Sequence, residues 1–236
     1  MQWLEAIWTK EGKGIAKDAP KRTGLALFCE IIGREWWELV KLNLLFLVAA
    51  LPIVTLPAAL FATASMCRSM VEDRNVYLLR DFAEAFRRYV AVATGWGLAT
   101  GLALWIGFCA ILTYGAQVRD SLIYAGPLAV SLIATGFVGV WSAHFIVLAV
   151  MSKRGVLEIL RLSALATLLR PLPTVAALAF IAALWLVHVL LYPVSVFMPA
   201  MINFSLGMFA VSFAAHRAAA LVLAEPDAAY RTTKIS

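Results

Sequence analysis

The sequence predicts an all-α membrane protein: a polytopic helix bundle of six passes, the first two forming a proline-bounded hairpin, with amphipathic helices at the cytoplasmic interface. Three observations predict it. Residues 44–66 form a run of 23 without a charge, whose only polar side chains are Thr55, Thr63 and Ser65; roughly 18 apolar residues suffice to mark a membrane-spanning candidate. The chain is 63% hydrophobic and 14% charged, with a mean hydropathy of +0.86, whereas soluble domains carry about 25% charged residues. Lys and Arg gather in the short segments between apolar runs. Topology and anionic lipid account for that pattern, so the net charge of +6 implies no nucleic-acid partner.

At the start of the chain, Trp3, Leu4, Ile7 and Trp8 share one face at helical spacing beside Lys10 and Lys13, which suits a short helix lying in the interface. Gly12, Gly14 and Pro20 then break the chain into a basic linker. No apolar core or cleavage site of a signal peptide is found, and residues 1–35 are expected to be a cytoplasmic interfacial region used uncleaved. The amphipathic run GLALFCEIIGREWWELVK leads into the first membrane helix, with Trp36 and Trp37 as interfacial anchors and Lys41 placed to snorkel outward. Asn43 stands at the membrane edge. Its amide is expected to form an interhelical hydrogen bond in preference to a ligand contact.

Pro52 and Pro57 bracket Ile-Val-Thr-Leu, and each removes a backbone donor and disfavours a helical residue before it. The stretch therefore reads as helix, tight turn, helix. Thr55 is placed to cap the second helix by accepting from the amide of Ala58, and Asn43 and Thr55 are expected to hold the hairpin together.

Beyond the hairpin, Leu78, Leu79, Phe82, Phe86 and Tyr89 recur at helical spacing, with Arg80, Asp81, Glu84, Arg87 and Arg88 on the other face. This predicts an amphipathic helix on the membrane surface. Its apolar face either packs on the bundle or lipid, the simpler reading, or receives a partner protein. Spans are predicted at residues 90–114, where Gly95, Gly97 and Gly101 offer close approach, at 122–151 with Gly126, Gly136, Gly139 and His144, at 174–191 and at 194–223. Between the third and fourth, residues 152–171 carry an apolar stripe of Leu157, Leu160, Ala164 and Leu168, which echoes residues 76–89 as a weak internal repeat. The membrane domain is thus 36–223, followed by a cytoplasmic tail at 224–236.

Charge fixes the expected orientation. With residues 36–70 as a hairpin, the N-terminus, 68–89, 152–171 and the C-terminus share one side with 7, 5, 4 and 3 Lys or Arg, and only Arg119 lies opposite. A single pass there would divide them 12 to 8 at best. Both termini are therefore expected in the cytoplasm of a bacterial cell, with the protein in its plasma membrane.

Reactive chemistry finds little footing. The spans hold no Asp or Glu; His144, His188 and His216 fall on three different helices and read as satisfied bundle residues rather than a metal site. Asn203 in the last span reads as interhelical glue. Cys29, Cys67 and Cys109 are too scattered for a disulfide framework. Without a phosphate loop, an HExxH or a nucleophile elbow, no enzyme activity, cofactor or metal is expected.

The order GKGIAKDAPKR, FCEIIGREWWELVKLNLLFLVAALPIVTLPAAL and YLLRDFAEAFRR resembles the YesL family of bacterial membrane proteins over nearly the whole chain. The most specific piece is LNLLFLVAALPIVT, where Asn43 precedes the turn Leu51, Pro52, Ile53, Val54, Thr55; Asp81, Phe82, Phe86 and Arg87 match the family's surface helix. At Tyr89, Val90 and Ala91 the chain departs from the aromatic and Lys residues common in relatives. The resemblance implies an accessory or regulatory subunit associated with carbohydrate ABC importer subunits; the mixed charge of residues 76–89, with Asp81, Phe82, Glu84, Phe86, Arg87 and Arg88, makes that helix the expected docking surface. The alternative is a permease-like subunit or independent transporter. A permease's cytoplasmic Glu-Ala-Ala element with a Gly four residues on is met here only by Glu84-Ala85-Phe86, with Arg at residue 88.

Overall fold

The computed structural model describes residues 22–233, with side chains described up to residue 224. The interfacial helix expected around Trp3 to Trp8 and the linker at Gly12 to Pro20 lie outside the described residues. Seven α-helices follow one another and no strand occurs among the described residues: α1 Leu25–Ala50, α2 Leu56–Val71, α3 Leu78–Gln117, α4 Ala125–Met151, α5 Val156–Leu169, α6 Pro171–Leu190 and α7 Phe204–Thr233. The chain divides into two units, residues 1–34 and 35–236. In the first, α1 is preceded by Gly24, whose φ of +62° is the left-handed conformation that glycine adopts at little cost, and Arg22 pairs with Glu30 at 3.6 Å. The second is an all-α membrane bundle.

Five of its helices are long and apolar enough to cross a bilayer: Ile53–Val71, Leu78–Gln117, Leu122–Met151, Pro171–Leu190 and Pro199–Ala224. The first of the six expected passes is not among them. The last turns of α1 still carry Arg34, Glu35, Glu38 and Lys41, leaving residues 42–50 charge-free, about 14 Å of helix against a core of about 30 Å. The helix–turn–helix itself is present, joined by a 3-10 turn at Ile53–Thr55. Leu51, Ile53 and Val54 in that turn are 77%, 80% and 76% exposed. Three such apolar side chains are stable in lipid and costly in water, which places the turn in a membrane environment.

The helix expected to lie on the membrane surface at residues 76–89 is corrected. It is the opening of α3, one uninterrupted helix of 40 residues, about 60 Å long and twice the thickness of the hydrocarbon core. No proline or helix-breaking pair interrupts residues 78–117, so nothing in the sequence turns the chain at residue 90. The corresponding segment after α4 behaves differently. α5 stops at Leu169 because Pro171 forces Arg170 out of helical conformation, at φ −142° and ψ 66°, so the two segments are not equivalent and the internal repeat finds no structural counterpart.

Close packing comes from small residues. On α2, Ala58, Ala59, Ala62 and Ala64 are fully buried around Phe61 and Cys67, and small side chains are what let membrane helices approach. Of the glycines expected to serve this purpose on α3, only Gly97 does: a Cβ there would lie 2.6 Å from Cγ of Pro57. Gly95, Gly101, Gly126, Gly136 and Gly139 face open space, whereas Gly107, not singled out by its sequence context, presses on Thr135. The α5 stripe is also re-aimed. Its buried face is Ile159, Ser163, Ala166 and Thr167, while Leu157 and Leu168 are exposed. Lipid tails are as apolar as leucine, so a leucine stripe on a membrane-bound helix does not by itself point to the core.

Candidate functional site

The most fully bonded polar group of the bundle is the side chain of Asn43. It is completely buried and reaches the start of the last span, where Pro199–Asn203 forms a π-helical turn. Nδ2 donates to the carbonyls of Pro199 at 2.9 Å and Ala200 at 2.7 Å. Oδ1 accepts from the amides of Phe204 and Ser205, both at 3.0 Å. In a regular helix Phe204 would donate to Ala200. Here the side-chain amide inserts between them, and both of its donors and both acceptor positions are used. Phe46 supports the junction by packing on Phe204, ring centroids 5.0 Å apart.

The expected interhelical role of Asn43 is thus present, but it does not close the hairpin: its partners lie on the far side of the sequence. Thr55 is corrected as well. It occupies the N-cap position of α2 without a side-chain cap bond; its hydroxyl instead donates back to the carbonyl of Ala49 at 2.6 Å. With φ −88° and ψ −5°, the residue lacks the extended conformation that aims a cap hydroxyl at the following amides. Thr55 therefore closes the turn by binding the end of α1. Pro57 sits in the first turn of α2 and meets Gly97, and Pro52 precedes the 3-10 turn. Asn203, expected to act as interhelical glue, is buried, but neither of its amide atoms meets a hydrogen-bond partner in the protein.

The candidate docking residues divide into two sets. Phe82 is 5% exposed and Phe86 is half-buried, and Tyr89 packs on Phe61 of α2 with ring centroids 5.9 Å apart. The aromatic part of the apolar face of the α3 opening is thus turned into the bundle, which removes Phe82 from any docking surface, while Leu79 stays exposed. Asp81 is committed to the helix start, accepting from the amide of Tyr77 at 2.9 Å. What faces outward is Arg80, Glu84, Arg87 and Arg88, with Glu84 and Arg88 paired one turn apart.

Beside this opening stands an ionic cluster that sequence reasoning missed. Arg68 donates from Nε to Oε1 of Glu72 at 2.8 Å and also bonds the carbonyl of Val150, near the end of α4. Arg74 lies 2.9 Å from the second oxygen, and His216 of α7 stands 3.5 Å from the first. Partial burial pushes the Glu72 carboxyl up. The hydrogen bond and charge of Arg68, the charge of Arg74 and the neighbouring His216 outweigh it and hold the group below the usual carboxylate range. The i,i+4 spacing of Arg68 and Glu72 was the available signal; the reach to α4 and α7 was not visible.

The other histidines have their own partners. His144 is fully buried, with Nδ1 3.0 Å from the Val140 carbonyl and Nε2 3.3 Å from the Thr174 hydroxyl. His188 bonds Ser195 at 3.0 Å. Among the described residues no group of three His, Cys, Asp or Glu could hold a metal.

The fold and these contacts define an all-α polytopic membrane protein held together at one place by an amide inserted in a helix. Residues 39–111 match the model of a family described as "Protein of unknown function, DUF624". The matched part holds Asn43, the hairpin and the opening of α3, but not the π-helical turn that Asn43 binds. Comparison with curated proteins finds no match, and neither does comparison with solved structures.

Proposed function

We propose that the protein is a non-enzymatic accessory or regulatory subunit of a transport system in the bacterial plasma membrane, its charged α3 opening docking on a cytoplasmic face of the partner. The observation that carries this reading is the mixed-charge face of Arg80, Glu84, Arg87 and Arg88, left exposed on a helix about twice as long as the bilayer core is thick. The aromatic side chains behind it are packed toward the bundle, with Tyr89 on Phe61 of α2. Alternating charge suits a protein partner, where complementary patterns set register. The resemblance to the YesL family supports a carbohydrate ABC importer as that partner.

Affinity purification in mild detergent, with partner identification, tests the proposal. Importer subunits should co-purify with the unmodified chain. Arg87→Glu with Arg88→Glu should release them, and so should the exchange Glu84→Lys with Arg88→Glu, which keeps an i,i+4 pair and the net charge but inverts the pattern. Lipid attraction alone would be indifferent to the exchange. Recovery of the importer with both variants, or with none of the three proteins, overturns the docking role.

A further inference from the structure

We infer that the bundle holds one anionic phospholipid at a defined site, its acyl chain in a groove between α4, α5 and α6 and its headgroup on Arg161 and Arg170. The groove is open along its length, measures about 440 Å³ and is lined by Gly136, Phe137 and Val140 of α4, Thr167 and Leu168 of α5, and Pro171, Val175 and Leu178 of α6. Its floor is dry: Thr167 has donated its proton to the Ser163 carbonyl at 2.8 Å and stands 3.2 Å from Nδ1 of His144, so no polar group is left to bind a polar ligand. A hydrocarbon chain satisfies such a lining.

The rim supplies the rest of the molecule. The groove runs down α6 from Pro171 to Leu178, about 10 Å along the axis, and Arg170 stands next to Pro171 at its mouth. Leu168, Leu169 and Leu172 around that mouth are exposed. Arg161 is exposed on α5 two helical turns before the lining residue Leu168 and so shares its face, and among the described residues neither Arg161 nor Arg170 has an acidic partner. Two guanidinium groups without acidic partners, one next to the mouth and one about 10 Å along the outer face of α5, complement an amphiphile with an anionic head, each basic group contributing on the order of fivefold in affinity near an anionic surface.

The purified full-length protein, extracted from vesicles of equal phosphatidylglycerol and phosphatidylcholine, is examined by native mass spectrometry under gentle detergent stripping. The chain should retain one phosphatidylglycerol after other lipid is lost. Arg161→Gln with Arg170→Gln, both on exposed positions, should abolish the preference over phosphatidylcholine, a change of roughly thirtyfold. Gly136→Phe should expel the lipid altogether, because a Cβ at Gly136 meets nothing and the ring is free to enter the groove. Equal retention of the two lipids by the unmodified chain would reduce the groove to ordinary lipid contact and overturn the site. So would retention unchanged in the double arginine variant, whose folding the surface changes leave intact, whatever the behaviour of Gly136→Phe.

Discussion

Replacing Asn43 by leucine leaves four backbone groups, the carbonyls of Pro199 and Ala200 and the amides of Phe204 and Ser205, without their partner in a buried site. Net hydrogen bonds are each worth about 1 kcal/mol and an orphaned buried group costs more, so Asn43→Leu should destabilise by at least about 3 kcal/mol, read as a lowered melting temperature in detergent. Asn43→Asp keeps the acceptors but loses both donors and buries a charge, and should be no better. Thr55→Val removes one hydroxyl, bonded to Ala49 with a longer contact to Pro52, and should cost only about 1 kcal/mol. Equal effects at the two positions would contradict the inserted amide. Glu72 makes a separate prediction about pH. Its carboxyl lies below the usual range when folded, so its contribution is present at neutral pH and above its unfolded value, and is lost as pH falls through the folded one. Glu72→Gln should lower stability at neutral pH and flatten that acid loss, measured as melting temperature against pH.

At the scale of elements, the hairpin depends on the fit of Pro57 against Gly97. Gly97→Ala places a methyl 2.6 Å from the proline ring, and overpacking of this kind costs typically 1–3 kcal/mol. Pro57→Ala opens the same contact from the other side, so the double variant should be less destabilised than the sum of the two, a coupling that a double-mutant cycle in detergent measures. The sequence displayed much of this level. Proline positions marked the hairpin turn, and hydrophobic runs located the later spans at 122–151 and 174–191, the second of which the structure begins three residues earlier, at Pro171. The continuity of α3 was hidden because a shift from amphipathic to wholly apolar pattern signals a change of surroundings, not a change of direction. For Asn43, an isolated amide in an apolar run announced a bond. Its partners are main-chain atoms made available by the π-helical turn, and main-chain atoms carry no sequence signal beyond Pro199 itself.

Across the molecule, the two ends of the bundle differ in what their connections expose. Between α2 and α3 and between α4 and α5 the chain is polar, with Asp73, Arg74, Asn75 and Lys153 exposed. At the opposite ends the exposed residues are Leu51, Ile53, Val54, Leu122, Ile123, Val194 and Phe197, beside Arg119 and Asp120 alone among charges. From the positive-inside bias we expect the first set in the cytoplasm. In a background lacking the exposed Cys29 and Cys109, cysteines placed at Asn75 and Lys153 should be protected from an impermeant thiol reagent in intact cells, and one at Asp120 should react. The reverse pattern would invert the orientation on which the docking face depends.

The position of Asn43 along the chain also dictates an order of assembly. During synthesis α1 and the hairpin leave the ribosome first, and the turn they bind is more than 150 residues away. For that whole interval the amide sits in or beside hydrocarbon with nothing native to bond, a state each helix added afterwards must tolerate. Only when Pro199 and Ser205 arrive does the first element find its place, so the bundle is locked by its last helix and a nascent chain stopped short of it carries an unclosed, polar wound in the membrane, open to quality-control proteases.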